Sequence, residues 1–331
     1  MTAQESLSRL ADWPRLVLAN LPTPLVPAPG ISAALGGGGP ELLVKMDADT
    51  GFALGGNKVR KLEFELAPGR LDGVTHLITA GGPQSNHCRV TAAAAARLGL
   101  GCVLVLNGPE PEEPRGNALI HRLVGAEIRT VAKREERDPM MEQVAQEIAQ
   151  AGGRARIIPI GASTGPGSLD YADATVELIE QLDALPPCPH TWIFVSASSC
   201  GTLAGLLLGV SLLGRRDLRL VGVSADTSSF DMRMDTARLA NEGAALLEWD
   251  GDIREGALAA ADEFVGRGYG VPTKAGDEAT ELFGRAAGIV LDPVYSAKAA
   301  SGMISWIRKG SVPAEDRVVF LHTGGHPALL A

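Results

Sequence analysis

Gly55-Gly56-Asn57-Lys58-Val59-Arg60-Lys61-Leu62-Glu63-Phe64 is the stretch on which the reading of this chain turns, because it sets charge against local electrostatics. Asn57, after two glycines, is a good N-cap residue, so a helix is expected to begin at about Lys58. Its first turn then carries Lys58, Arg60 and Lys61. A helix N-terminus already bears roughly half a positive charge, and each exposed cation there costs ~0.3–1 kcal/mol. Two readings follow. Either the three side chains bend into solvent, or an anion sits nearby and crowding among the cations depresses one lysine toward a nucleophilic amine. Upstream, Leu42-Leu43-Val44-Lys45-Met46 reads as a short apolar strand, which puts Lys58 a loop beyond a strand end.

Outward from this stretch, residues 1–40 read as a leader rich in Pro and Gly, with an extended Leu21-Pro22-Thr23-Pro24-Leu25. From Thr75 onward, apolar runs, small-residue loops and helical stretches alternate. Strands are expected at 76–80, 102–107, 127–131, 155–161, 192–196, 218–224, 288–291 and 317–322. Helices are expected at 86–98, 140–151, 169–181, 202–213, 276–287 and 297–309. This alternation implies an α/β chain with parallel sheet and right-handed crossovers. The 331 residues exceed one ordinary core, and Gly161-Ala162-Ser163-Thr164-Gly165-Pro166-Gly167 reads as a hinge. A smaller domain at 66–165 is therefore expected inside a larger one made of 1–65 and 166–331.

Composition narrows the function. A net charge of −9 with scattered basic residues argues against nucleic-acid or acidic-membrane partners. Forty glycines with 4% aromatics suit tight strand-to-helix turns and small-molecule work. Cys88, Cys102, Cys188 and Cys200 have neither metal-ligand spacing nor a CxxC pair, so no metal and a reducing cytoplasmic setting are expected. Charges and prolines interrupt the apolar runs before Leu25, unlike a signal peptide, and the apolar run 91–106 is broken by Arg97 and Gly99, unlike a membrane span.

Several loops could carry chemistry. In Ala80-Gly81-Gly82-Pro83-Gln84-Ser85-Asn86-His87, Ser85 either simply caps a helix or joins the N–H groups of Asn86 and His87 in holding a carboxylate. In Ser196-Ala197-Ser198-Ser199-Cys200-Gly201-Thr202, every residue to Gly201 is small, which suits either tight packing under a helix or a phosphate cradle. That loop is neither a Walker loop nor GxGxxG. Two of the chain's three tyrosines lie in Gly268-Tyr269-Gly270-Val271-Pro272 and Asp292-Pro293-Val294-Tyr295-Ser296. His322-Thr323-Gly324-Gly325 follows the last strand, and His322 reads as a core histidine more readily than as a catalyst.

A lysine at a helix start, a phosphate-type loop and a carboxylate-type loop are together the parts of a pyridoxal-phosphate enzyme. The segments Gly55–Glu63, Gln84–His87, Gly268–Pro272, Asp292–Tyr295 and His322–Gly325 resemble, in order, the family of D-cysteine desulfhydrases, L-cysteate sulfo-lyases and 1-aminocyclopropane-1-carboxylate deaminases. The resemblance implies a fold type II, tryptophan synthase β-like protein with two mostly parallel, helix-flanked sheets, pyridoxal 5'-phosphate between them, and a homodimer. It implies that Lys58 is the Schiff-base lysine and catalytic base, that Lys61 tunes it, and that Tyr269 and Tyr295 are active-site tyrosines. Asn57 is expected at the ring 3-oxygen, Ser199, Cys200, Gly201 and Thr202 at the phosphate, Ser296 near the ring nitrogen, and Thr323 among the cofactor-binding residues. Ser85, Asn86 and His87 are expected at the substrate carboxylate. The resembling ring-opening deaminases carry Glu and Leu where this chain has Ser296 and Thr323, and Gln where it has His87. The expected activity is therefore α,β-elimination from D-cysteine or L-cysteate. Leu203, Val90 and Lys45-Met46-Asp47-Ala48 depart from the pattern. The alternatives are the ring-opening deaminase, a non-catalytic pyridoxal-phosphate carrier or amino-acid-binding module, and a nucleotide-binding α/β protein.

Overall fold

The computed structural model describes residues 1–109 and 111–331. Its strands are β1 (Leu25–Pro27), β2 (Glu41–Lys45), β3 (His76–Gly81), β4 (Gly101–Asn107), β5 (Glu127–Val131), β6 (Ala155–Ile157), β7 (Thr191–Ala197), β8 (Leu218–Ser224), β9 (Ala259–Ala261) and β10 (Arg317–Leu321). Its helices are α1 (Ala3–Ala11), α2 (Pro29–Ala34), α3 (Lys58–Glu65), α4 (Asn86–Leu98), α5 (Gly116–Leu123), α6 (Arg137–Gln150), α7 (Gly165–Asp183), α8 (Gly201–Leu212), α9 (Ser229–Leu246), α10 (Lys274–Ala287) and α11 (Ser296–Arg308).

Two sheets form. One has the order β1-β2-β10-β7-β8-β9 and is parallel except for β1, where Leu25 faces Lys45 antiparallel. The other, β5-β4-β3-β6, is parallel throughout. β10 is buried along its whole length and β3, β4, β7 and β8 along nearly all of theirs, because helices cover both faces. Such strands read as continuous apolar runs rather than alternating ones.

Strand order locates the site. In the smaller sheet the chain steps from β3 to β4 to β5, then returns to place β6 on the other side of β3. In the larger sheet it steps from β7 to β8 to β9, and β10 returns to the other side of β7. Each reversal opens a crevice beyond the strands' carboxyl ends. The loops after β3, β7 and β10 are the ones quoted above from the sequence.

Two core clusters cover the larger sheet. Leu169, Leu206, Leu239 and Val319 belong to one, and Phe283, Met303, Phe320 and Leu291 to the other. α8 is buried almost all round, and its glycines set how closely it approaches α7: a Cβ on Gly205 would lie 2.4 Å from Tyr171 Cβ, and one on Gly209 2.5 Å from Thr175 Cβ.

Some expectations are corrected. Residues 288–291 form no strand, since Ile289 and Leu291 are buried but the Val290 carbonyl accepts from His322 Nε2 at 2.9 Å instead of a ladder N–H. The strand expected at 155–161 stops at Ile157. The leader contains α1, whose Thr2 and Glu5 form a capping box. α9 lies where no element was expected, although Ser228 caps it and Met232, Thr236, Leu239, Ala240 and Gly243 are buried at helical spacing.

Candidate active site

α3 does begin at Lys58, but Asn57 is not its capping side chain. The Asn57 amide crosses to the other loop instead, with Nδ2 donating to Thr202 Oγ1 at 3.0 Å. Its backbone N–H donates to Thr323 O at 3.0 Å, and Gly324 packs so closely that a Cβ there would lie 2.7 Å from Gly56 Cα. Gly56 and Gly324 hold φ of 103° and 88°, conformations a side chain would strain. The start of α3 is thereby pinned between the β7 and β10 loops.

The three cations of the first turn separate. Lys58 is half-buried and lines a cavity of about 250 Å³ between the two sheets. Burial lowers its amine to about 8, with Asp170 acting in the opposite direction. Arg60 is 2% exposed and does not reach solvent. Its guanidinium donates to Glu177 at 2.8 and 3.1 Å and to Asp47 Oδ1 at 3.2 Å, and Tyr171 OH and Thr23 Oγ1 donate to the same Asp47 carboxylate at 2.5 and 2.7 Å. Lys45 Nζ also donates to Glu177. Lys61 is fully buried, donating to Gly161 O at 2.6 Å and Ser163 Oγ at 3.0 Å. Burial, then the charge of Lys58, holds its amine well below the usual lysine range. Lys61 does not line the cavity; it lies behind the 199–202 loop, where a Cβ on Gly201 would meet its Nζ at 2.4 Å. The crowded lysine is Lys61, whereas Lys58 owes its depression to burial.

After β7, Cys200 adopts φ +60° to turn the chain into α8. Ser163 Oγ bridges to Ser199 Oγ at 2.8 Å and accepts from Gly201 N at 3.2 Å. Ser196 Oγ is buried in the cavity wall without a partner among the described residues. Thr202 Oγ1 already accepts from Asn57, so its hydroxyl hydrogen is left to donate. Small residues, an orphaned hydroxyl and a helix N-terminus fit a phosphorylated group.

After β3, Ser85 caps α4, its Oγ accepting from Cys88 N at 3.2 Å, and it also lines the cavity. The side chain of Asn86 accepts from Asn117 Nδ2 at 2.9 Å, and Asn117 also donates to Gln84 O at 2.8 Å. Arg89 links this loop to the lysine loop through Gly55 O at 2.7 Å. The His87 ring is buried. Thr79 Oγ1 donates to Ile158 O at 2.8 Å, so it accepts from His87 Nε2 at 2.9 Å and leaves Nδ1 bare. Burial, with Lys58 and Lys61 nearby, holds this imidazole well below the usual histidine range, and it is neutral. His87 can therefore offer an anion its backbone N–H but no cationic ring.

Tyr269 and Tyr295 both line the cavity, and their hydroxyls are hydrogen-bonded to each other with the rings edge-on at 5.9 Å. Burial pushes both phenols up, Tyr295 well above the usual range. Thr323 lines the cavity, but Ser296 does not. The Ser296 hydroxyl donates to Asp292 Oδ1 at 2.6 Å and accepts from Asp292 N at 2.7 Å, so it is committed to the turn that carries Tyr295. His322 is a core histidine, accepting from Gly324 N at 3.2 Å through Nδ1 and lowered by burial to about 4. Arg134, Arg137, Asn107 and Asp226 line the cavity without having been singled out in the sequence. Among the described residues no cluster of His, Cys, Asp and Glu could hold a metal, and no helix is long and apolar enough to cross a membrane.

Fold and cavity together define a class, an α/β protein with a cavity where two mostly parallel sheets reverse their strand order. The family model for the pyridoxal-phosphate dependent enzymes matches residues 16–324, and the chain belongs to that family. D-cysteine desulfhydrases of Salmonella typhi and Salmonella newport (strain SL254) are each 37% identical to it over 332 residues, covering 98% of both chains. A solved structure of a 1-aminocyclopropane-1-carboxylate deaminase homologue superposes with a TM-score of 0.88 at 34% identity, covering 98% of this chain and 96% of that one. The diaminopropionate ammonia lyase of Escherichia coli shares the fold, with a TM-score of 0.66 at 16% identity, covering 99% of this chain and 88% of that one. The protein is a fold type II enzyme, and pyridoxal 5'-phosphate is its cofactor.

Proposed function

We propose that the chain is a carbon–sulfur lyase that eliminates the β-substituent of a small sulfur-containing amino acid, converting D-cysteine to pyruvate, sulfide and ammonia or L-cysteate to pyruvate, sulfite and ammonia. The observation that carries this is Lys58, an amine lowered by burial to about 8 in the wall of a cavity between the two sheets. The desulfhydrase relatives, identical at 37% of positions along nearly their whole length, support the elimination.

In this reading Lys58 is the covalent anchor and the base at Cα. Asn57 would meet the ring 3-oxygen, Ser199, Cys200, Gly201 and Thr202 would cradle the phosphate with Lys61 behind them, and Thr323, in the cavity wall, would contact the cofactor. Ser296 supports the tyrosine turn rather than the ring, in keeping with its bonds to Asp292. The bound cofactor supplies an electron sink for the Cα–H bond. Ser85 Oγ and the N–H groups of Asn86 and His87 hold the substrate carboxylate, which turns the Cα–H toward Lys58 Nζ. Lys58 takes that proton, its depressed amine being partly neutral near pH 7. Tyr295, a phenol that stays protonated, gives a proton to the departing sulfur with Tyr269 behind it.

Three coarser proposals accompany this one. The smaller domain spans 66–165, and in support the β5-β4-β3-β6 sheet uses only strands between His76 and Ile157. The enzyme is a homodimer, supported by an apolar hollow of about 750 Å³ lined by the exposed Leu54, Leu119 and Leu330. It is cytoplasmic, in keeping with four free cysteines.

The test is borohydride reduction of the purified protein followed by peptide mapping. A pyridoxyl group on Lys58 is expected; one on another lysine, or on none, overturns the assignment. Pyruvate release from D-cysteine, L-cysteate, β-chloro-D-alanine and 1-aminocyclopropane-1-carboxylate then separates the lyase from the ring-opening deaminase.

A further inference from the structure

Resting on the elimination reading, we infer that Arg137 recognises a second negative charge on the substrate, so that the preferred substrate carries an anionic β-substituent, a sulfonate rather than a thiol. The chain as a whole has a net charge of −9, yet the charged side chains that line its cavity are Lys58, Arg134 and Arg137 against the single carboxylate of Asp226. That imbalance is local and built.

Arg134 is already balanced. Its guanidinium pairs with Asp226 at 2.9 Å and lies over the Tyr269 ring at 4.7 Å. Arg137 is held without being neutralised: Nε donates to Arg134 O at 3.0 Å and Nη1 to Asn107 Oδ1 at 3.4 Å, both uncharged acceptors. Among the described residues no carboxylate forms an ion pair with it, and Asp138, the acid in its own helical turn, is exposed. Arg137 is also the first residue of α6, where the helix dipole disfavours a cation. A guanidinium fixed in plane by neutral acceptors, at a helix N-terminus and half-buried in a cavity wall, is arranged for an anion from outside the chain.

The other anions of the reaction have their own donors. The phosphate has the 199–202 loop, and the α-carboxylate has Ser85 with the first N–H groups of α4. Arg137 is left over, and a sulfonate on Cβ would use it. The reaction then balances: Cα–H gives its proton to Lys58, the Cβ–S bond breaks with its electron pair leaving on sulfur as sulfite, and water completes the conversion to pyruvate and ammonium. A guanidinium on the sulfonate stabilises the charge of the departing sulfite as well as the bound substrate.

The experiment compares R137M with the wild-type holoenzyme on both enantiomers of cysteate and of β-chloroalanine, whose β-substituent is neutral. The ratio of kcat/KM for cysteate to that for chloroalanine is expected to fall about ten- to a hundredfold, the range for loss of a charge-assisted contact. Equal losses of kcat/KM on both substrates would mean that Arg137 holds the α-carboxylate, and unchanged kcat/KM on both would mean that it holds neither; each overturns the inference. Calorimetric titration of 3-sulfopropanoate against propanoate gives a reading that does not depend on turnover. The wild type is expected to bind the sulfonate at least tenfold tighter and R137M to lose that margin, while equal binding in the wild type overturns the inference. Should neither amino acid be turned over while the sulfonate margin holds, the elimination reading fails and the Arg137 site stands.

Discussion

Raising the pH on the cofactor-free protein should expose the state of Lys58 directly. Only a neutral amine attacks the aldehyde of pyridoxal phosphate. Burial sets the Lys58 amine at about 8, from an ordinary value of 10.5. At pH 7 that leaves roughly one molecule in ten with a neutral amine, against about one in three thousand for an unperturbed lysine, a ratio of ~300. Attachment should therefore rise about tenfold per pH unit below 7, bend near 8 and stay flat to 10. The assay is stopped-flow absorbance after mixing stripped protein with excess cofactor across pH 5.5–10.5, with K58A as the blank. A rate that keeps climbing tenfold per unit through pH 9.5 would refute the reasoning, because it would make Lys58 an ordinary solvated lysine. So would a bend near 8 that survives in K58A, since the titrating group would then lie elsewhere. Asp170 acts on this amine in the raising direction, so D170N should move the bend downward if the carboxylate is charged and leave it in place if the acid is already protonated. Burial holds Asp170 well above the usual carboxylate range, with neither oxygen hydrogen-bonded, which favours the second outcome.

Other perturbations separate structure from chemistry. R60M strands the buried Asp47 carboxylate and is expected to cost about 3–5 kcal/mol in denaturant unfolding, with D47N recovering part of it in the double variant; a loss under 1 kcal/mol would show that the network adds little. G201A should fold, because the atoms nearest the new Cβ are side-chain ends, those of Lys61 and Ser163, rather than backbone, but equilibrium dialysis should show weakened cofactor binding. G205A pushes instead on Ser168 O at 2.2 Å and Tyr171 Cβ at 2.4 Å, so it should lower stability by roughly 1–3 kcal/mol; equal behaviour of the two variants would contradict the division. Y295F should lower kcat by about 10²–10⁴ with KM little changed, as expected for loss of a proton donor. Because burial holds the Tyr295 phenol well above its usual range, the wild-type profile should show no loss of activity from its ionisation below pH 10.

The contrast between what was legible in the sequence and what was not follows from how each signal is written. Buried parallel strands write themselves as unbroken apolar runs, so β3, β4, β7, β8 and β10 were readable, and with them the three loops that meet at the cavity. The same rule misled at 288–291, where an apolar run is buried by side chains alone and its Val290 carbonyl is satisfied by an imidazole. Neighbours in sequence say little about where long side chains end. Lys58, Arg60 and Lys61 share one helical turn, yet one enters the cavity, one joins Asp47 and Glu177, and one reaches the Gly161 carbonyl. Their partners come from the turn after β2, from α7 and from the 161–163 turn, roughly a hundred residues away for two of the three, so no local pattern announces them. Arg134 and Arg137 were invisible for the converse reason. They sit in Lys133-Arg134-Glu135-Glu136-Arg137, a mixed-charge run that reads as a solvated turn, and only the fold brings it across from Asp226 and Tyr269. What distinguishes Arg137 there is a missing partner, and a missing partner becomes visible only once every neighbour has been placed. The opening anomaly thus resolves without any single compensating anion for α3: Arg60 is balanced by protein carboxylates and Lys61 by carbonyl and hydroxyl oxygens. Lys58 is left as the cation of that turn with no hydrogen bond or ion pair among the described residues, and a lysine so placed in a family that uses pyridoxal phosphate supports its proposed covalent role.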